Sequence, residues 1–157
     1  IPKFIPINLT LIFGINLGIQ EAMKVQNMIK GFEPFFELTD RLPKNECVEI
    51  FSKSHILLMT KYGNLKGVPG SKLYEYLVLE KNILACPPDS DIIEETLSNA
   101  NLGIFARNSD ECFHILKDLY QQYETGNFLN PKPNRPYINS FSREELAKKL
   151  AQYILSI

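Results

Sequence analysis

The sequence predicts an α/β fold with a parallel sheet flanked by helices. Apolar runs of strand length alternate with amphipathic segments of helix length along nearly the whole chain. Capping residues mark several helix starts, and Gly or Pro closes several of the apolar runs. At 157 residues and 45% hydrophobic content, the chain can bury a sizeable core within one domain. Strand–helix alternation of this kind builds parallel sheets through right-handed crossovers.

Residues 9–13, LTLIF, are a short apolar run closed by Gly14 and read as a strand. Residues 20–30 read as a helix whose apolar residues are Ala22, Met23, Val25, Met28 and Ile29. Residues 35–38 are a weak strand. Residues 43–52 are a helix with Pro43 in its first turn, where a missing N–H costs nothing. A strand over 56–59 leads into the polar loop 60–66. A short helix over 71–79 and a buried strand over 82–86 follow, and Pro87-Pro88 ends the strand. Asp91 with Glu94 has the spacing of a capping box and opens a helix over 92–98. Residues 102–105 are a strand. Asn108 with Glu111 repeats the capping spacing before a long helix, 109–123, with Phe113, Leu116, Tyr120 and Tyr123 expected on its core face. A Pro/Asn-rich loop spans 126–136. Ser142 with Glu145 opens a last helix, 143–156, with Leu146, Leu150 and Ile154 at i, i+4 and i+8.

In such sheets ligands bind beyond the carboxyl ends of the strands, at a topological switch point. The loops 14–19, 60–70 and 86–90 leave strand C-ends and are the expected ligand side. Residues 67–91 are the most informative part. Gly67, Pro69 and Gly70 form a turn that delivers a helix start carrying Lys72, with Glu75 one turn further in. Helix N-termini present unpaired N–H groups and the positive end of the dipole, which suits phosphate. Lys72 can meet a diphosphate, and Glu75, an acceptor-only group when ionised, can take two sugar hydroxyls. Gly70, Ser71 and Leu73 would contribute backbone N–H groups. Gly14 and Asn16 follow the first strand, where glycine permits close backbone approach to a ligand. The plainer readings are a solvated lysine, an exposed helix glutamate and an ordinary strand-end turn. Pro87-Pro88-Asp89 reads as a rigid turn and helix start.

Seventeen Lys+Arg stand against eighteen Asp+Glu, a balance that argues against a nucleic-acid or polybasic membrane-binding domain. Cys47, Cys86 and Cys112 are odd in number and fit neither a zinc site nor a disulfide framework, so they read as buried or inert thiols of a reducing compartment. His55 and His114 are isolated and read as structural, and no metal site is expected. P-loop, nucleophile-elbow and C-x-x-C motifs are absent. No apolar stretch reaches the ~18 residues of a spanning helix. Residues 5–18 are apolar but lack the flanks of a signal peptide. The chain opens at Ile1 without methionine and is expected to be part of something longer.

The run Pro69-Gly70-Ser71-Lys72-Leu73-Tyr74-Glu75-Tyr76-Leu77, followed by Lys81-Asn82-Ile83-Leu84-Ala85, resembles a conserved block of family 4 (group 1) glycosyltransferases of the GT-B fold. In that family the block lies in the C-terminal, nucleotide-sugar-binding domain. Residues 43–58, residues 91–104 and Phe141-Ser142-Arg143 with the last helix resemble the family's flanking segments in the same order, so the resemblance covers most of the chain. It implies a Rossmann-like donor-binding domain over 1–140, with a C-terminal helix, 141–157, packing toward an N-terminal acceptor domain that this chain does not contain. It also implies transfer of a sugar from a nucleotide diphosphate-sugar to a glycan or lipid-linked acceptor, as in surface polysaccharide synthesis. The reaction would need no metal or other cofactor and would proceed with retention. The fragment alone would be inactive. The implied location is the cytoplasm, with peripheral association at the inner face of the membrane through the full-length protein.

The sequence departs from the family in three places. The family's donor domain has six strands and five are read here, so one strand–helix unit falls before Ile1 or between Gly31 and Phe35. Many members carry a second glutamate eight positions before the one matching Glu75, where this chain has Gly67. The family's diphosphate-binding Arg and Lys have no clear match, and no catalytic residue is named. Two other classes stay open: a nucleotide-sugar 2-epimerase of the same fold, and a non-catalytic α/β nucleotide-binding module of flavodoxin or receiver type.

Overall fold

A computed structural model of the chain describes residues 9–12, 19–39, 41–128 and 130–156. It forms two compact units, Ile1–Lys53 and Ser54–Ile157. Both are α/β, and among the described residues every strand pair is parallel.

In the first unit, β1 (Leu9–Ile12) connects through α1 (Ile19–Met28) and a 3₁₀ turn (Glu33–Phe35) to β2 (Phe36–Thr39), and α2 (Lys44–Lys53) follows. The strands pair with Leu9 opposite Phe36 and Ile12 opposite Thr39. The expected strand over 35–38 is thus shifted by one residue. Pro34 explains the shift: its fixed φ suits the 3₁₀ turn that Phe35 completes. On the expected apolar side of the first helix, Val25 and Ile29 are half-buried, whereas Met23 and Met28 are exposed.

The second unit holds a three-stranded parallel sheet flanked by helices. Its elements are β3 (Ile56–Met59), α3 (Gly70–Val78), β4 (Asn82–Ala85), α4 (Ile92–Asn99), β5 (Gly103–Phe105), α5 (Ser109–Glu124), α6 (Arg135–Asn139) and α7 (Arg143–Leu155). The strand order is β3-β4-β5, so this sheet contains no reversal of strand order. The register sets Ile56 opposite Asn82 and Ile83 opposite Gly103.

β4 is central, and Ile83, Leu84 and Ala85 are all buried, because both of its faces are covered. A continuous apolar run is what that position requires. β3 instead alternates: Leu57 and Met59 are buried and Leu58 is exposed. Leu73, Tyr76 and Leu77 of α3, with Ile93 and Leu97 of α4, complete the core. Each of these fully buried aliphatic side chains contributes about 1.5–3 kcal/mol. α3, α4 and α5 are each followed, one residue beyond the cap, by a residue with positive φ: Glu80, Asn101 and Gly126. After α4 and α5 the next two amides bond back into the last turn, as in a Schellman motif.

Three expectations for this unit are corrected. On the long helix, Phe113 and Tyr123 are exposed; Cys112, Ile115, Leu116, Leu119 and Tyr120 are the half-buried side. The capping box fixes the start of α5, since Asn108 accepts from the Glu111 N–H (2.9 Å), and the buried stripe lies one residue round from the expected one. The 126–136 loop ends in α6, whose N-cap Asn134 accepts from the Tyr137 N–H. Asn134 also donates to the carbonyls of Ala100 and Asn99, which pins this segment to the end of α4. Finally, Asp91 does not cap α4 with its side chain. Ser142 does cap α7, accepting from the Glu145 N–H at 3.2 Å. Among the described residues, no helix is long and apolar enough to cross a membrane.

Candidate functional site

The loop after β3 and the loop after β4 leave the same edge of the sheet and are bonded to each other. The Lys61 N–H donates to the Pro87 carbonyl (3.2 Å), and the Gly67 N–H donates to the Asp91 carboxylate (2.6 Å). The first loop passes through positive φ at Gly63 (55°) and Gly67 (68°), and α3 opens on a third such residue, Gly70 (62°), after Pro69. At Gly70 the backbone calls for glycine, and a side chain would also have to displace the exposed Tyr62 ring. The dihedral is left-handed, and a Cβ there would collide with the hydroxyl and ring of Tyr62.

α3 then starts with no side-chain cap and no acidic residue in its first turn. Its leading N–H groups are left for water or a ligand, at the positive end of the dipole. Leu73, Tyr76 and Leu77 face the core, so the opposite side carries Ser71, Lys72, Glu75 and Val78 into solvent. Lys72 and Glu75 are one turn apart on that exposed side. The structure therefore brings Gly70, Ser71, Lys72, Leu73 and Glu75 together at one helix start. Leu73 is wholly buried and has only its backbone to offer a ligand. Gly14 and Asn16 lie outside the described residues.

The second loop is built around Asp89. Its carboxylate accepts from the N–H groups of Asp91 (3.1 Å), Ile93 (3.0 Å) and Glu94 (3.1 Å). Asp89 thus provides for the first amides of α4 from two residues before the cap, with Ser90 bent through positive φ (55°). Asp89 does the work expected of Asp91, within the segment expected to be a rigid turn and helix start, whereas no role was expected of Tyr62. The Asp-Ser-Asp spacing was the visible signal for the first. The approach of Tyr62 to Gly70 depends on loop geometry that carries no sequence signature.

An open depression of about 530 Å³ lies beside this loop, lined by Ser90, Asp91, Glu94, Glu95 and Arg107. Its guanidinium is committed to Glu94 (3.3 Å), and three carboxylates line it, so it repels phosphate. The head of α3, not this depression, is the place for an anion. Further round, Tyr74 and Tyr137 both pack against Phe141 (ring centroids 5.2 Å), and Arg135 makes a two-pronged ion pair with Glu80 (2.8 and 2.9 Å). These contacts brace α3 from the side away from its N-terminus.

Both histidines lie against aromatic rings. His55 packs edge-on against Tyr123 and Phe128, and His114 lies beside Phe113. All three cysteines are free and half-buried. Burial, with the neighbouring Cys86 thiol second, pushes the Cys112 thiol up to about 11. Among the described residues, no group of three or more His, Cys, Asp or Glu is placed to hold a metal ion. No protein-family model, curated protein or solved structure matches the chain.

Proposed function

We propose that this chain is the donor-binding domain of a GT-B glycosyltransferase, taking a nucleotide diphosphate-sugar and passing the sugar to a glycan or lipid-linked acceptor held by a second domain. The observation that carries the reading is the start of α3: an uncapped, acid-free helix N-terminus after a glycine-rich turn, with Lys72 and Glu75 together on its exposed side. The resemblance of residues 69–85 to the family block agrees with it. The α3 amides and Lys72 would take the diphosphate, stabilising negative charge that grows on the leaving nucleotide. Glu75 would accept from the ribose hydroxyls. The acceptor domain would cover Leu146, Leu150 and Ile154, which α7 leaves exposed. The enzyme would work in the cytoplasm, at most peripherally on the membrane, without a metal.

A thermal-shift series with UDP, GDP, inorganic phosphate and FMN tests this. A nucleoside diphosphate should raise the melting temperature of the second unit. Glu75→Ala and Lys72→Ala should each weaken that binding by about ten-fold or more, as expected for loss of a charged hydrogen bond worth roughly 1.5–3 kcal/mol, while barely moving the melting temperature without ligand. Stabilisation by FMN alone, or by UDP equally in all three chains, would remove the reading.

A further inference from the structure

We propose that Asp91 is a positioning residue, whose carboxylate holds the Gly67 turn against the start of α4 and so fixes where the α3 amides lie. The proposal rests on the donor-site reading above. The loop from Lys61 to Pro69 has little of its own to hold it. Residues 61–68 are exposed, and its internal backbone bonds are short-range, Gly63 to Lys61 and Leu65 to Tyr62. The loop is tied to the neighbouring segment at two points. One is the Lys61 N–H on the Pro87 carbonyl, near β3; the other is the Gly67 N–H on Asp91, three residues before α3.

Asp91 is free to make the second tie because Asp89 has taken its place. An N-cap side chain ordinarily accepts from the second or third amide of its helix. Here those amides, Ile93 and Glu94, are already bonded to Asp89. Asp91 is itself held, since its N–H donates to Asp89 and its carbonyl accepts the Glu95 N–H (2.9 Å). A carboxylate anchored on a helix start therefore grips a loop amide 24 residues away. Charge-assisted bonds of this length are the stronger kind. A site held by a rigid element keeps its geometry better than one left to a loop.

The test compares the 157-residue chain with Asp91→Ala and Asp91→Asn, by amide exchange and by titration with UDP. In Asp91→Ala, exchange at Gly67 should quicken about five- to ten-fold, as for loss of one charge-assisted bond in an exposed loop. UDP affinity should fall by a similar factor, while Ile93 and Glu94 exchange as before. Asparagine keeps an acceptor oxygen at the same reach and should restore most of both effects. Unchanged exchange at Gly67, or unchanged UDP affinity, in Asp91→Ala overturns the proposal. Tighter UDP binding in both variants also overturns it, because Asp91 would then be an internal anion competing with the ligand. If UDP fails to bind the unaltered chain while Gly67 still responds, the donor reading fails and takes the positioning role with it.

Discussion

Single residues decide how closely the elements of the second unit approach each other. Gly103 opens β5, and a Cβ there would run into the Phe105 ring and stand 2.9 Å from the Leu97 Cβ. The ring can swing, but the Leu97 Cβ is fixed to the α4 backbone and cannot give without moving the helix. Gly103→Ala should therefore destabilise the unit by about 1–3 kcal/mol, the range for an overpacked core. Urea unfolding checks this as a lower midpoint with unchanged slope; an unchanged midpoint would mean that α4 shifts freely. The sequence shows this glycine only as a residue at a strand start. Its reason is a contact with a helix side chain six positions earlier, made only once α4 has folded back on β5. Lys72 and Glu75 were legible for the opposite reason. Their exposure follows from the buried spacing of Leu73, Tyr76 and Leu77 within one short helix.

At the scale of elements, starts and stops were largely readable and rotations were not. β3 lies where its apolar run lies, and the Asn108 and Ser142 caps act as their spacing indicates. The face that α5 buries differs from the expected one, because apolar residues on two adjacent stripes offer similar periodicity. Burial is settled by what α5 meets, and Cys112 meets Cys86. The two aspartates before α4 show the same limit. The spacing points to Asp91, and the bend at Ser90 gives the work to Asp89 instead. Asp89→Ala removes the acceptor of three amides and should cost about 0.5–2 kcal/mol, as loss of a cap does. Asp91→Ala removes no bond to the α4 amides and should cost less, at most about 1 kcal/mol for the one loop bond it loses. Equal losses in the two variants, read from denaturant midpoints, would show that capping is shared.

For the molecule as a whole, parallel α/β architecture was legible from the alternation of strands and helices. The grouping of strands was not. β1 and β2 form one sheet and β3, β4 and β5 another, and no periodicity within a strand states which partner it will pair with. Gly67 is also more than the substitute for a glutamate that the resemblance made it. Its positive φ turns the chain and its N–H is the atom Asp91 holds. The central claim is that the head of α3 receives a nucleoside diphosphate. The most direct measurement is a residue-resolved amide titration of the unaltered chain with UDP and GDP, up to millimolar ligand. The account predicts saturable shifts at Gly67, Gly70, Ser71, Lys72 and Leu73, with smaller ones at Glu75. Shifts confined to the acidic depression around Glu94 and Arg107, or none anywhere, would contradict it.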